Sequence, residues 1–287
     1  MQTRMLRTFA RIAQIGSFAQ TAEHLNMTLS AVSMQMKTLE EELGVKLFDR
    51  SYRPPQLTPI GRAVAENAIS LLYAEDTLVR LCYPDDKLAG HFRIGLVTTA
   101  SVRLIPGFLK NAAKLAPDAT FSLETGLSEF LERKVLSGQL DAAIVTASSN
   151  TDAQLHYELL YDEPLVFAIP SGIKHVPFDT LIADRTFLQF MPSTGIGKLI
   201  SNQMFKLRKG KQSSAVVLNN VEAIVECVKA GVGFTLLPKP DILRYADESV
   251  HIMCPEEIQL SRKLVLTTVH DSFTHHWVKT LKNLLIS

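Results

Sequence analysis

The stretch FAQTAEHLNMTLSAVSMQMKTLEEELGVKLFDR, Phe18–Arg50, decides how this chain is read. Ser17 offers a capping hydroxyl with Gln20 three residues on, and Ala19, Ala22 and Leu25 follow at helical steps. Asn26 and Met27 make a turn. Thr28 then caps a second helix in which Leu29, Val32, Met36, Leu39 and Leu43 recur every three or four residues as a buried stripe, and Gly44 stops it. Ser30, Ser33, Met34, Gln35 and Lys37 lie mostly off that stripe and near the helix start, the part of a recognition helix that reaches base edges in a major groove. Glu40, Glu41 and Glu42 gather at the far end, where their charge is expected to point away from phosphates.

A helix pair of this kind also occurs as an ordinary packed hairpin. The residues that follow shift the balance. Val45-Lys46-Leu47-Phe48-Asp49-Arg50 and Leu57-Thr58 read as two short strands around a basic, proline-stiffened turn, Arg53-Pro54-Pro55. Helix, turn, helix and wing point to double-stranded DNA as a partner. Residues 1–62 carry eight Lys/Arg against five Asp/Glu in a chain of formal net charge +1, so salt-sensitive binding through a limited number of phosphates is expected.

The ordered set Phe9, Gly16-Ser17-Phe18, Ala22, Leu25, Ser30-Ala31-Val32-Ser33-Met34-Gln35-Met36, Leu39-Glu40, Leu43 to Arg50 and Leu57-Thr58-Pro59-Ile60-Gly61 strongly resembles the N-terminal domain of the LysR-type transcriptional regulators. By that resemblance Ser30, Ser33, Met34, Gln35, Lys37, Arg50 and Arg53 are the expected DNA contacts. The chain departs from the family at Leu29, where Gln is usual, and at Met34, where Arg is common. An apolar side chain there touches a thymine methyl or turns inward, so an unusual DNA site is expected.

Thr58-Pro59 opens a long helix, with Thr as cap and Pro in the first turn. Ile60, Val64, Ala68, Leu71, Leu72, Glu75, Leu78 and Leu81 recur near heptad spacing, which suits a two-stranded coiled coil; a single helix lying on its own domain is the alternative. The resemblance favours pairing. It implies a homodimer or homotetramer on a partly palindromic operator, with RNA polymerase as a further partner. The expected segments are a winged helix-turn-helix domain at 1–58, a linker and dimerisation helix at 59–83, and a hinge at 84–91.

From residue 92 strand and helix signals alternate: strand 92–97, helix Val102 to Leu115, strand Thr120 to Leu123, helix Leu127 to Leu136 and strand Leu140 to Val145, a parallel α/β half-domain. A second run has strands at Leu165 to Ile169, near Phe187, at Ala215 to Leu218 and at Phe234 to Leu237, with helices at Ile196 to Leu207 and Val221 to Lys229. Leu264 to Val269 and a last helix, His275 to Leu285, return to the first half. The fold class is α/β: a winged helix-turn-helix, a long helix, then two lobes joined by two crossovers, with lobe I at about 92–162 and 269–287 and lobe II at about 163–268.

In open α/β sheets ligands sit at the carboxyl ends of strands, against helix N-termini whose free amides favour an anion. Thr98-Thr99-Ala100-Ser101 ends the first strand with three hydroxyls, more than one helix cap needs; Ser128 opens the next helix, and Pro192-Ser193-Thr194-Gly195 precedes one in the other lobe. The framework Gly95, Pro106, Ser128, Gly138, Asp141-Ala142-Ala143-Ile144, Ala230-Gly231-Val232-Gly233 and Leu237-Pro238 resembles the effector-binding domain of LysR-type regulators, itself similar to periplasmic binding proteins. The resemblance implies a small-molecule effector held by Thr98, Thr99, Ser101, Ser128, Ser193 and Thr194. Arg103 and Lys198 nearby suit an organic acid, with Arg103 as a solvated helix residue the alternative.

No apolar run approaches the roughly 20 residues of a membrane span, and the N-terminus reads as an amphipathic helix, so a cytoplasmic protein without a membrane partner is expected. Cys82, Cys227 and Cys254 lack metal or disulfide spacing; Cys227 falls in an apolar phase and reads as packing, with a peroxide-sensing pair as the less supported alternative. Thr194 to Lys198 lacks phosphate-loop spacing, and His275-His276 point to different helix faces, so no metal, cofactor or catalytic constellation is expected. Three function classes stand side by side: a ligand-responsive transcription factor, a small-solute-binding protein, and an enzyme fused to a DNA-binding head. The first is favoured.

Overall fold

The structure is a computed structural model that describes residues 2–80, 88–148, 151–208, 215–255, 259–270 and 275–286. By its internal contacts the chain divides into two compact units, Met1–Pro84 with Ser137–Gln139, and Asp85–Leu136 with Leu140–Ser287.

The first unit runs α1 (Thr3–Ile15), α2 (Phe18–His24), α3 (Leu29–Leu43), β1 (Phe48–Asp49), β2 (Gln56–Leu57) and α4 (Pro59–Arg80). The Ser17 hydroxyl accepts the Gln20 amide and Thr28 accepts that of Ala31, so each helix of the pair begins at a capping side chain. Asn26, at φ 52°, turns the chain between them. Leu6, Phe9 and Ile12 of α1 meet Val32, Met36 and Leu39 of α3 in a core that Phe48 of the wing joins, its ring edge-on to Phe9 and Phe18. The wing strands pair antiparallel with Phe48 opposite Leu57. Gly61, in the first turn of α4, lies so close to the wing that a Cβ would stand 2.2 Å from the Leu47 carbonyl oxygen.

Two expectations change here. Leu29 is 51% exposed and Leu43 also reaches the surface, so the buried stripe of α3 is Val32, Met36, Leu39 and, unexpectedly, Glu40. The first turn of α3, Thr28 to Ser30, stands clear of the core, which is why its spacing did not bury Leu29. Along α4, Ala65, Ala68 and Leu72 pack into the core while Ile60, Leu71 and Leu78 stay exposed, so the heptad-like pattern mixes two faces.

The second unit has two lobes. In lobe I, β3 (Gly90–Val97) pairs parallel with β4 (Ala119–Gly126) and β5 (Ala142–Thr146), with α5 (Thr98–Leu115) and α6 (Ser128–Leu136) as the connecting helices. The next strand, β6 (Leu155–Pro170), is 16 residues long. Lobe II follows with α7 (Phe178–Asp184), β7 (Phe187–Phe190), α8 (Gly195–Leu207), β8 (Ala215–Leu218), α9 (Val221–Lys229), β9 (Thr235–Pro238), α10 (Lys239–Leu243) and β10 (Val250–Met253). The chain returns through β11 (Ser261–Val269) to α11 (His275–Ile286).

The expected all-parallel half-domain is instead mixed, because β11 runs antiparallel to both β5 and β6. β6 serves both lobes: Leu155 to Pro164 pair with β11, and Leu165 to Pro170 with β9 and β10. The Leu165 amide donates to the Leu260 carbonyl at 2.8 Å, where the two crossing strands lie side by side. Leu264, Val265 and Leu266 belong to the lobe I core, as expected for the strand from Leu264, and the return begins at Ser261, so lobe I takes in residues before the approximate 269 boundary. Each lobe closes its own core, one around Phe92, Leu131, Ile144 and Leu281, the other around Phe167, Phe187, Ile200 and Phe234. The expected residues Leu81 and Cys82 and positions 84–87 of the hinge lie outside the described residues; Leu88 and Ala89 are buried, and Gly90 already belongs to β3.

Candidate functional site

On the first unit, the exposed start of α3 presents Leu29, Ser30 and Met34, with Ser33 and Gln35 half-buried beside them and Lys37 exposed, 3.8 Å from Glu41. Met34, 69% exposed, does not turn inward. Ser30 bonds the capping hydroxyl of Thr28 at 3.0 Å, and Gln35 Oε1 is buried without a hydrogen-bond partner. Arg53 is exposed on the wing.

Glu40, whose charge the sequence places at the end of the helix away from phosphates, is buried, unlike its two acidic neighbours. Its Oε1 accepts the amides of Leu47 at 2.8 Å and Phe48 at 3.1 Å, and its Oε2 takes Arg50 at 3.1 Å. One carboxylate thus fastens the wing to the last turn of α3 with charge-assisted bonds. Arg50 is held by Glu40 and keeps about half its side chain in solvent.

The second unit carries three adjoining cavities between the lobes. A middle one of about 150 Å³ is lined from lobe I by Thr98, Thr99, Ser128 and Thr146 and from lobe II by Phe190, Thr194 and Asn219. One of about 200 Å³ shares Thr98, Thr99, Phe190 and Asn219 and adds Arg103, Asp241 and Arg244. The third, about 710 Å³, shares Ser128, Thr146 and Thr194 and reaches Ser193 and Lys198.

The hydroxyls of the first strand's end play unequal parts. α5 begins at Thr98, four residues before the expected start, and its cap position is Val97, so none of the three hydroxyls caps it. Thr98 is exposed to the cleft. Thr99 Oγ1 accepts from Arg262 at 2.8 Å. Ser101 is buried and donates to the Thr98 carbonyl, one turn back along its own helix, so it lines none of the three cavities. Ser128 Oγ accepts the Thr146 amide at 3.2 Å. Thr194, buried, caps α8 by accepting the Gly197 amide at 2.9 Å. A side chain at Gly197 would meet the Met191 carbonyl oxygen at 1.9 Å, so this tight start of α8 depends on glycine.

The two cations expected to attract an acid are already engaged. Arg103 pairs with Glu163, and Lys198 bonds Glu129 at 2.7 Å, a contact that holds the Glu129 carboxyl below its ordinary range. Arg262, fully buried, bonds Glu163 through Nε and Nη2 and lies 3.0 Å from Asp241 Oδ2. Burial pushes the Asp241 carboxyl up to about 6, against the opposing pull of Arg262. Sequence reasoning missed this group. Glu163 and Arg262 lie 99 residues apart, and only the pairing of β6 with β11 brings them together.

Cys227 is half-buried against the lobe II core and Cys254 is exposed; both are free thiols. Among the described residues no three His, Cys, Asp or Glu side chains are placed to hold a metal, and no helix is long and apolar enough to cross a membrane.

Comparison with known proteins agrees with both units. Residues 3–62 match the model of the bacterial regulatory helix-turn-helix proteins of the lysR family, and residues 85–286 match the LysR substrate binding domain. The chain is 28% identical over 290 residues to the HTH-type transcriptional regulator SoxR of an Arthrobacter species, covering 99% of this chain and 97% of that protein. It is 29% identical over 244 residues to a probable hydrogen peroxide-inducible genes activator of Mycobacterium leprae, covering 82% and 76%. Among solved structures, full-length OxyR of Pseudomonas aeruginosa superposes with a TM-score of 0.73 at 22% identity, covering 99% and 94% of the two chains. Full-length CbnR in complex with its target DNA gives 0.68 at 18%, covering 99% and 100%. With a helix-turn-helix head, a two-lobed α/β domain and both family models matched in order, the chain belongs to the LysR family of bacterial transcriptional regulators.

Proposed function

We propose that this regulator binds a small anionic effector, an organic acid, in the middle cavity between the lobes, and that occupancy alters how the DNA-binding heads engage a partly palindromic operator. The observation that carries the reading is convergence: the N-termini of α5, α6 and α8 line one cavity of about 150 Å³. α5 offers its first amides without any side-chain cap, the arrangement that favours an anion. Thr98 and Ser128 add hydroxyls, and Phe190, Met191 and Leu127 supply apolar walls for the acid's body. Specificity for charge then comes from backbone dipoles, since Arg103 and Lys198 are paired with Glu163 and Glu129.

Ser30, Ser33, Met34, Gln35, Lys37, Arg50 and Arg53 form the proposed DNA face. Met34 and Leu29 supply apolar contacts where an operator presents thymine methyls. The exposed row Ile60, Leu71 and Leu78 on α4 suits pairing of two copies, so that two heads read two half-sites. Effector binding shifts the population between lobe arrangements and, through the assembly, the spacing of the heads. RNA polymerase is the further partner of a promoter-bound tetramer.

The test is a thermal-shift and calorimetric screen of small carboxylates and their uncharged amides against the full chain, repeated with Ser128→Ala and Thr98→Val. A carboxylate that binds and loses affinity in both variants supports the reading. Equal binding of acids and amides, or variants indistinguishable from the parent, overturns it.

A further inference from the structure

The crossing strands carry a group that the effector reading does not use. Glu163 and Arg262 face each other in register on β6 and β11, within two residues of the Leu165–Leu260 contact where both strands change lobe. Arg262 has no exposed surface, and it reaches into both lobes: to Thr99 on α5 of lobe I and to Asp241 on α10 of lobe II. The remaining groups around Asp241 are Arg103 from α5 and, across the shared cavity, Glu222 from α9, with Arg244 and Tyr245 just beyond the end of α10; β9 contributes only Thr235, Leu236, Leu237 and Pro238. Asp241 borders the cavity of about 200 Å³, but both its carboxylate oxygens are buried, and Oδ1 has no hydrogen-bond donor. Oδ2 sits beside Arg262 at 3.0 Å, off the axis of a good hydrogen bond.

A buried carboxylate with an unsatisfied oxygen is in conflict with its surroundings when ionised. Two changes relieve it: uptake of a proton, or a shift of α10 that lets water in. We propose that Asp241, Arg262 and Glu163 form a proton-responsive clamp at the lobe hinge, in which proton uptake by Asp241 favours the sealed arrangement and ionisation favours opening of the cleft. The sign follows from linkage, because the sealed arrangement binds the proton more tightly than one in which the carboxylate is hydrated, so acid stabilises the sealed state. The raised position of Asp241, about 6, puts the response in mildly acid conditions. Thr99 lines the middle cavity and is held by the same guanidinium, so the clamp couples acidity to that cavity's shape. Its consequence for ligand affinity rests on the effector reading above; the clamp itself does not.

Hydrogen exchange of the full-length protein between pH 5 and 8, corrected for the intrinsic chemistry of exchange, tests the clamp. Peptides covering α10 and the first two turns of α5 are expected to lose protection as pH rises through about 6, by at most about tenfold per pH unit for one coupled proton. Asp241→Asn is expected to flatten that profile, and Glu222→Gln to leave its midpoint in place. A flat parental profile, an unchanged midpoint in Asp241→Asn, or loss of the midpoint in Glu222→Gln overturns the proposal. If Asp241→Asn does not fold, the parental protein still decides: a change spread evenly over the unit rather than confined to these two segments overturns it. Failure of every carboxylate to bind leaves these profiles intact and counts against the effector reading alone.

Discussion

Replacing Glu40 by alanine removes the sole acceptor of two buried amides. The amides of Leu47 and Phe48 lie 2.8 and 3.1 Å from Glu40 Oε1, and both residues are buried from solvent. An orphaned buried donor costs roughly 1–3 kcal/mol, so Glu40→Ala, which orphans two, is expected to destabilise the first unit by about 2–6 kcal/mol. The ion pair with Arg50 adds little to this, since Arg50 is half in solvent. Glu40→Gln keeps an oxygen for the amides and loses only the charge assistance, so about 1–2 kcal/mol is expected. The assay must report the first unit, because the single tryptophan, Trp277, lies in the second. Urea unfolding followed by hydrogen exchange at Leu47 and Phe48, with operator affinity measured alongside, meets that need. The wing of Glu40→Ala should exchange freely, and DNA affinity should fall even where α3 stays folded. Unchanged protection at these amides, with stability within about 0.5 kcal/mol of the parent, would refute the role given to Glu40.

Lys37→Ala and Arg53→Ala are each expected to weaken binding across all DNA sequences and to lower the slope of log affinity against log salt by about 1, whereas Met34→Ala should change sequence preference and leave the slope alone. Binding isotherms at several salt concentrations separate the two outcomes. Thr194→Ala removes the α8 cap at 2.9 Å, for a loss of about 1 kcal/mol seen in urea unfolding and a weaker response to any cleft ligand. Asp241 is raised to about 6 in the fold from its ordinary 3.8, so its contribution to stability is full below about pH 4, falls as pH rises, and is gone above about pH 6. That span corresponds to roughly 3 kcal/mol, which Asp241→Asn should abolish in melts taken from pH 4 to 8. A variant that retains the full pH dependence would place it in another group.

Much of the molecule is legible in the sequence because its signals are local. The helix pair, its caps at Ser17 and Thr28, the Asn26 turn, the wing and most lobe strands follow from spacing and from residues with strong conformational preferences. Burial of Glu40 was not legible, since three consecutive glutamates look solvated until the wing folds back over the first of them. Leu29 misled for the opposite reason: its periodicity is right, but the helix extends past the core it was expected to face. Sequence alone presents the three hydroxyls after β3 as one set, whereas the early start of α5 leaves Thr98 open to the cleft, gives Thr99 to Arg262 and turns Ser101 back on its own helix. Long-range pairs carry no local mark. The continuous β6 and the buried group at the crossover exist only once strands distant in sequence lie side by side.

The most direct test of the account is a footprint. The purified full chain would be used to select fragments from the source genome, and the strongest fragment footprinted with and without a panel of small carboxylates at moderate salt. A protected, partly palindromic site whose length changes with one acid, in the parent and not in Ser128→Ala, is the predicted result. Absence of any sequence-selective protection would contradict the DNA-reading assignment, and selective protection indifferent to every ligand would contradict the effector cleft.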